Sequence, residues 1–387
     1  MNTTLSPVTV QRFVALQGDL IALVEKDFCA ISPKLEQLIR VMEISQIELM
    51  VHSDQGYSQT RGVGQPESDR CAIACAFLAK TVLNLITTRA LIERLQMDSK
   101  LRRLCGFDLR KSLPSEATFS RAFAQFADKQ LAQRVHERMV KEHLGDQLIG
   151  HISRDATAIA ARESIGQEVK QARAQAKADK ALKAKAPKIK RGRPSKGEIR
   201  PTPVAPAIPA LEAQRTQTLD QMLSQLSTQC DTGTKINAQG YKVSWRGYKL
   251  HLDTACCGVP ISAVLTGANV HDSKVALPLT LISGQRVSAC YELMDAAYSS
   301  GVISAFITQQ GRVPLIDHNP RRGDKRAFEP HEAQRYKIRT GAERCNARLK
   351  DEFGARHVQV RGASKVMCHL MFGVVTLCAD QLSRLLL

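Results

Sequence analysis

LIGHISRDATAIAA, residues 148–161, is the stretch in which the pattern of the chain changes. Its alternating, β-branched residues are typical of a strand, and we place its carboxylate, Asp155, at the end of that strand. Before it, segments such as LEQLIRVMEI and CAIACAFLAKTVLNLI carry apolar residues at helical spacing. We therefore expect an all-helical N-terminal domain over residues 1–147 and a second domain that begins at residue 148.

More strands are predicted further along the chain. YKVSWRGYKLHLDTA and VPISAVLTGANV are two strand candidates, and YELMDAAYSS and RVPLIDHNP are a fourth and a fifth. KVALPLTLI, between the two pairs, is typical of a short helix, and helices are predicted over about 331–353 and 363–386. This order predicts a mixed α/β sheet flanked by helices in a domain over residues 148–387.

The end of the helical region has two interpretations. LIERLQMDSKLRRL ends near Gly106, and Ser115 is a candidate N-cap for the next helix, ATFSRAFAQFADKQLAQRVHERMV. The pair fits a helix-turn-helix with Ser120 and Arg121 facing DNA. It also fits a plain helical hairpin that packs onto the rest of the domain, and both interpretations stay open.

Residues 165–235 interrupt the second domain with a different composition. Between residues 170 and 200, twelve lysines and arginines stand against two acids, a large part of the formal net charge of +18. The proline-rich PTPVAPAIPA follows. Such a segment buries too little apolar surface to fold alone, so we expect a flexible, disordered basic arm. A positive surplus of this size favours a nucleic-acid partner, with a basic surface that has no partner as the alternative.

Four basic residues of the arm are candidate DNA contacts: Lys188, Lys190, Arg191 and Arg193. The run RGRP at 191–194 resembles an AT-hook, in which an extended Arg-Gly-Arg enters the narrow minor groove of A/T-rich DNA. Sequence-independent contact with phosphates is the alternative, and it predicts a steep loss of binding with salt.

Thiolate metal sites and membrane insertion are not indicated by the sequence. The 11 cysteines form no CxxC pair, so we expect free thiols in a reducing cytoplasm. The first residues lack the pattern of a signal peptide. VMCHLMFGVVTLCADQLSRLLL is apolar but interrupted by His369, Asp380 and Arg384, which predicts a core helix and no membrane span.

A helix predicted from Tyr336 to Lys350, YKIRTGAERCNARLK, carries a polar stripe. At 100° per residue, Tyr336, Arg339, Glu343 and Lys350 fall at about 0°, −60°, −20° and −40°. Apolar residues form a separate stripe on another side, so this helix packs by one side and presents charges on another. A solvated charged face is the alternative interpretation.

Two acids at predicted strand ends favour a functional site. If the strands that carry Asp155 and Asp295 are neighbours and the helix packs beside them, Glu343 completes a set of three carboxylates. Carboxylate oxygens are the ligands that Mg²⁺ prefers, and two such ions can promote displacement at phosphorus. Other acids near strand ends are weaker candidates, with Asp272 beside His271 the strongest of them: Asp231, Asp253, Asp272 and Asp317, the last beside His318.

The chain resembles the bacterial insertion-sequence transposases of the DDE superfamily. The spacing Y-x2-R-x3-E-x6-K matches their YREK signature at all four positions, and ERCNARLKDEFGARHVQVRGASKVMCHLMFGVV resembles their C-terminal block. The resemblance implies an RNase H-like core in which Asp155, Asp295 and Glu343 are catalytic and hold two Mg²⁺ or Mn²⁺ ions. It also implies that the other three residues of the signature contact DNA phosphates or the terminal base: Tyr336, Arg339 and Lys350.

The implied reaction is metal-dependent cleavage at the ends of an insertion sequence, followed by transfer of the freed 3′-OH into target DNA. Some relatives carry a β-rich domain between the second Asp and the Glu, for which 47 residues leave little room here. We expect a homodimer that bridges two ends of double-stranded DNA, in the cytoplasm at the nucleoid. The alternatives are an RNase H-like nuclease that joins no strands and a non-catalytic DNA-binding regulator or decayed transposase.

Overall fold

The structure is a computed structural model, and it describes residues 31–53, 68–185, 210–236, 239–319 and 326–386. The described elements before residue 148 are helices, as predicted. They are α1 Pro33–Ser45, α2 Ile47–Ser53, α3 Arg70–Val82, α4 Thr88–Met97, α5 Ser99–Leu104, α6 Glu116–Asp128 and α7 Leu131–Leu144.

Helix α6 begins where the sequence places it. The Ser115 hydroxyl accepts a hydrogen bond from the Thr118 backbone N–H at 3.3 Å, so the predicted N-cap is confirmed. The helix buries Phe119, Phe123 and Phe126, which recur at helical spacing. Ser120 and Arg121 stay exposed on the opposite side. The helix therefore packs as the hairpin interpretation requires and leaves free the two residues that the helix-turn-helix interpretation needs.

A mixed six-stranded sheet follows, which confirms the predicted α/β core. Its centre is β1, which pairs antiparallel with β3 and parallel with β5; β6 extends the parallel side. Both β2 and β4 pair antiparallel with β3. The strands are β1 Leu148–Ala160, β2 Asp231–Ile236, β3 Lys242–Ala255, β4 Pro260–Gly267, β5 Ser288–Met294 and β6 Val313–Ile316.

The range predicted for the flexible arm, 165–235, is too long at both ends, because its first and last residues form regular secondary structure. Its start forms the exposed helix α8 (Gln167–Lys185), whose Ala, Lys, Gln and Arg residues have high helix propensity. Its end forms α9 (Ala210–Gln214), α10 (Leu219–Ser224) and β2, because Met222 and Leu226 pack into the core. The four predicted DNA contacts of the arm lie outside the described residues: Lys188, Lys190, Arg191 and Arg193.

The remaining helices pack around the sheet, with 3₁₀ turns at Asp272–Val275, Ala296–Tyr298 and Lys337–Arg339. They are α11 Ala276–Gly284, α12 Gly301–Gln309, α13 Pro330–Tyr336, α14 Thr340–Asp351 and α15 Ala363–Leu386. Within the described ranges, α15 alone is long and apolar enough to cross a membrane, but 83% of its apolar window is buried. The prediction of a core helix is confirmed.

Helix α15 joins the two parts of the chain. It packs against α1, α3, α6 and α7 on one side and against β4 on the other. One continuous apolar cluster includes Phe77 and Phe119 from the helices before the sheet, Phe372 from α15, and Ile152 and Leu250 from β1 and β3. The sheet that carries the candidate acids therefore shares a core with the N-terminal helices.

Candidate active site

Asp155 and Asp295 hold matching positions on adjacent parallel strands. The ladder between β1 and β5 ends at Ser153 opposite Leu293, and each acid lies two residues further along. The expectation that Asp155 ends its strand is wrong, because β1 continues to Ala160 along β3. Asp155 lies instead in the part of β1 that extends beyond the end of β5. The two carboxylates therefore reach the same edge of the sheet by strand register.

Glu343 reaches this edge from α14, which packs across β1 and β3. The single helix predicted over 336–350 is interrupted: α13 ends at Tyr336, and a 3₁₀ turn at Lys337–Arg339 precedes α14. A 3₁₀ turn advances about 120° per residue instead of 100°, so Tyr336 is offset by roughly 60° from its calculated position. Glu343 and Lys350 remain on one uninterrupted helix.

Arg339 lies between two of the acids. Its guanidinium donates a hydrogen bond to Glu343 at 2.5 Å and lies 4.0 Å from an oxygen of Asp155. The Glu343 side chain is 53% exposed, whereas that of Asp155 is 22% exposed. In this structure a protein cation therefore neutralises Glu343 and separates it from Asp155.

Asn346 is a site residue that we did not predict. Its side-chain amide donates a 2.9 Å hydrogen bond to Asp155, and the residue is almost fully buried. It follows Glu343 by three residues, so it lies on the neighbouring part of the same helix surface. This hydrogen bond fixes the orientation of the Asp155 carboxylate from the side of α14.

The environment of both strand acids disfavours a bare negative charge. Burial raises the pKa of Asp155 to about 6, against the opposing effects of Asn346 and Arg339. Burial also raises the pKa of Asp295, whose carboxylate accepts a hydrogen bond from the Ala297 backbone N–H at 3.0 Å. Nearby acids raise both pKa values further. A bound cation would relieve this cost.

A recess of about 460 Å³ opens beside Asp155 and Glu343. Asp272, the strongest of the alternative acids, lies in it, and Lys249 donates a hydrogen bond to its carboxylate at 2.8 Å. Lys350 also lines the recess, and its pKa is lowered by burial and by the cations Lys235 and Arg356. Cations thus surround a carboxylate centre. The residues that line the recess include Asp155, Lys235, Lys249, Asp272, Glu343, Asn346, Lys350 and Arg356.

Tyr336 contacts the strand that leads to Asp295. Its hydroxyl donates a 3.1 Å hydrogen bond to the carbonyl of Met294, and its ring packs on Phe328 with centroids 4.8 Å apart. Burial raises the pKa of its phenol to about 12. The tyrosine of the predicted signature is therefore partly committed to positioning the end of β5.

The other alternative acids have different surroundings. Asp253 is fully buried and accepts two hydrogen bonds from Arg154 at 2.7 and 2.8 Å. Asp231 pairs with Arg173 at the start of β2. Asp317 lies near enough to Asp295 to raise the pKa of that residue. Of these three acids, Asp317 contributes to the electrostatics of the strand ends, while Asp253 and Asp231 already have cationic partners.

A buried ionic network lies under the two strand acids. Arg154, adjacent to Asp155, also pairs with Glu292 at 3.2 Å and donates to the carbonyl of Ala276 at 2.9 Å. Arg312 completes the network at 2.5 Å from Glu292. These contacts tie β1, β3, β5 and α11 together immediately behind the acids.

Among the described residues, no three His, Cys, Asp or Glu side chains stand close enough together to hold a metal ion as they are. Asp155 and Asp295 are adjacent, but Glu343 is turned to Arg339. The three-carboxylate metal site thus stays a prediction.

Comparison with known protein families agrees with this architecture. Residues 218–379 match a family model described as a transposase DDE domain, and residues 24–125 match one described as a transposase domain (DUF772). The chain belongs to the DDE transposases of insertion sequences. No curated protein and no solved structure matches the chain. The DDE transposase match covers Asp295 and Glu343 and begins after the strand that carries Asp155.

Membership of this family has general consequences for the chain. DNA transposition is its function, DNA is its substrate, and a divalent metal is required for phosphoryl transfer. The mixed sheet with its flanking helices is the RNase H-like core of such enzymes.

Proposed function

We propose that this transposase cleaves DNA at the ends of its element and joins the freed 3′-OH to target DNA, with Asp155, Asp295 and Glu343 as the catalytic acids. The observation that carries the proposal is the matching register of Asp155 on β1 and Asp295 just after β5, two adjacent parallel strands, with α14 packed across β1 and β3. The complete YREK spacing supports placing the chain in that subgroup.

The residues present fit a hard divalent cation. The donors at this edge of the sheet are carboxylate oxygens, which suit Mg²⁺ or Mn²⁺. The raised pKa values of Asp155 and Asp295 indicate negative charge that the surrounding protein does not fully compensate. We infer that the three acids hold two ions when Glu343 exchanges Arg339 for metal. Bound there, the ions would supply Lewis-acid activation at phosphorus.

Other residues of the chain would bind and orient the DNA. Arg339 and Lys350 offer cations to phosphates beside the scissile bond, and Tyr336 anchors the end of β5. In the first step a water oxygen bonds to phosphorus and the bond to the 3′-oxygen breaks. In the second, that 3′-oxygen bonds to a target phosphorus and a target 3′-oxygen leaves. Asn346 keeps Asp155 oriented in both steps.

Further contacts follow from the basic surfaces and from the need to hold two ends. We propose that Lys188, Lys190, Arg191 and Arg193 contact the DNA backbone or minor groove. The N-terminal helices over residues 1–147 would recognise element ends or support assembly. A homodimer would bring the two ends together at the nucleoid.

The test is cleavage and joining on a labelled element end with Mg²⁺ or Mn²⁺. Asp155→Asn, Asp295→Asn and Glu343→Gln should each abolish both reactions and leave DNA binding intact. Asp220→Asn, an exposed acid on α10, is the matched control and should behave as wild type. Wild-type activity in all three variants would remove the assignment. Cleavage without joining would identify a nuclease, and binding without cleavage a regulator.

A further inference from the structure

A second cavity, of about 340 Å³, lies where α3 and α6 meet the segment that leads into α15. It shares no lining residue with the recess at the acids. Its apolar wall is formed by Phe77, Phe123 and Phe372, with centroids 4.9 Å apart for the first pair and 6.2 Å apart for the last pair. Such a wall lowers the local dielectric and strengthens any charge interaction beside it.

Lys80 is the unusual residue of this cavity. It is 8% exposed, and within the described parts of the chain no carboxylate or carbonyl oxygen accepts a hydrogen bond from its ammonium. Burial lowers the pKa of Lys80 to about 8, with no acid offsetting the effect. The neighbouring His369 donates to the Gly354 carbonyl at 3.1 Å, and burial lowers its pKa to about 4, so it is neutral at pH 7. Little of this side chain reaches solvent and no described acid pairs with it, so an anion in the cavity would stabilise its charge.

The rim of the cavity carries positive charge, as its base does. Arg361 and Lys365 line it and are exposed. Glu116 is the acid that lines the cavity, and it is already paired with Arg89 at 3.3 Å. Three cations therefore face the space, and among the described residues none of them forms an ion pair with an acid.

We propose that this cavity binds a backbone phosphate of DNA, with Lys80 at its base and Arg361 and Lys365 at its rim. A phosphate supplies the acceptor oxygens and negative charge that Lys80 lacks. The cavity is open to solvent between α6 and α15, where a DNA strand can reach it. This contact goes beyond strand chemistry: it rests on DNA being the substrate and is independent of which acids hold metal.

The experiment measures the affinity of the full chain for an element-end duplex across a salt series, in EDTA. Each lost phosphate contact reduces the slope of log affinity against log salt by about one. Lys80→Met should lower the slope by about one and weaken binding roughly tenfold at moderate salt. Lys365→Gln, an exposed position that tolerates substitution, should lower it similarly. Arg384→Met, at an exposed position near the end of α15 and outside the cavity, is the charge-matched control and should leave the slope unchanged.

Two outcomes would overturn the proposal. One is a slope that is unchanged in both Lys80→Met and Lys365→Gln. The other comes from a titration of inorganic phosphate, followed by thermal unfolding. If phosphate protects wild type but not Lys80→Met, while the two proteins have equal DNA slopes, the cavity binds a small free anion instead of DNA. Since the binding assay contains no metal, the cavity variants can leave DNA binding unchanged while the cleavage test supports the catalytic acids, and the opposite pair of results is equally observable. Failure here is therefore distinguishable from failure of the proposed strand chemistry.

Discussion

The amide of Asn346 on α14 donates a hydrogen bond to the carboxylate of Asp155 on β1, at 2.9 Å and across 191 residues of sequence. It joins the helix that carries Glu343 to the strand that carries the first acid. In metal sites generally, loss of a partner that orients a ligating carboxylate costs about 10–100-fold in metal affinity or activity.

Asn346→Ala should therefore impair metal use more than folding. Loss of the hydrogen bond frees Asp155 to rotate, and we expect the Mg²⁺ concentration for half-maximal cleavage to rise about tenfold or more. Single-turnover cleavage across a metal titration measures this. Thr340→Ala, an exposed substitution on the same helix, should leave the titration unchanged. An unaltered metal requirement in Asn346→Ala would contradict a positioning role.

Arg339→Gln should have opposite effects on metal and on DNA. In the proposed metal site the guanidinium would compete with the ion for Glu343, so its removal should strengthen Mn²⁺ binding by the free chain, by roughly tenfold or about 1.4 kcal/mol. DNA affinity should fall because the phosphate contact proposed for Arg339 is lost. Calorimetry with Mn²⁺ in the absence of DNA gives the first quantity. Arg335→Gln is the control, since Arg335 packs over the Tyr291 ring at 3.9 Å. Weaker Mn²⁺ binding in Arg339→Gln would show that Arg339 supports the ion.

Arg154→Met should be among the most damaging single substitutions. It leaves Asp253 and Glu292 buried without their shared cation, which costs about 3–5 kcal/mol of unfolding free energy. Urea denaturation measures the loss. Arg384→Met removes an exposed arginine from Asp380, which is buried but keeps Arg348 at 2.7 Å, and should cost less than about 1 kcal/mol. Similar costs for the two variants would mean that solvent reaches the network.

Acid should destabilise the fold through its buried histidines. Burial lowers the pKa of His136 to about 3 and that of His251 to about 4, both below the ordinary value of 6.5. Protons then bind the unfolded chain preferentially, so stability is full above pH 6.5 and falls as the pH drops towards 4. Each histidine contributes up to about 1.4 kcal/mol per pH unit.

Urea unfolding between pH 7.5 and 4.5 tests this pH dependence. His136→Gln should lose stability less steeply than wild type over that range, because its side chain does not titrate. His331→Gln, at an exposed position, should follow the wild-type curve. Equal slopes for His136→Gln and wild type would indicate that His136 is already protonated in the fold.

Local patterns predicted much of this architecture. The alternation of residues 148–161 located β1, and Ser115 marked the start of α6. Those signals depend on neighbours within a few residues, which the sequence displays directly. The sequence also predicted that α15 is a core helix, because its polar residues interrupt an otherwise apolar run.

The sequence predicted less of the arrangement of the site, because that arrangement depends on contacts between distant segments. The hydrogen bond from Asn346 to Asp155 and the pairing of Arg339 with Glu343 require the docked position of α14. The 3₁₀ turn at Lys337–Arg339 has no glycine or proline to announce it. Strand β2 was hidden by the basic composition before it, since DTGTKI is short and polar.

Helix α15 bears on how such enzymes can be rearranged. Because one apolar cluster runs from the N-terminal helices through α15 into the sheet, neither part of the chain can be replaced independently of the other. A chimera with foreign helices before residue 148 would need matching side chains along α15. Exposed positions of α6 are free of this constraint, because their side chains lie outside the shared cluster.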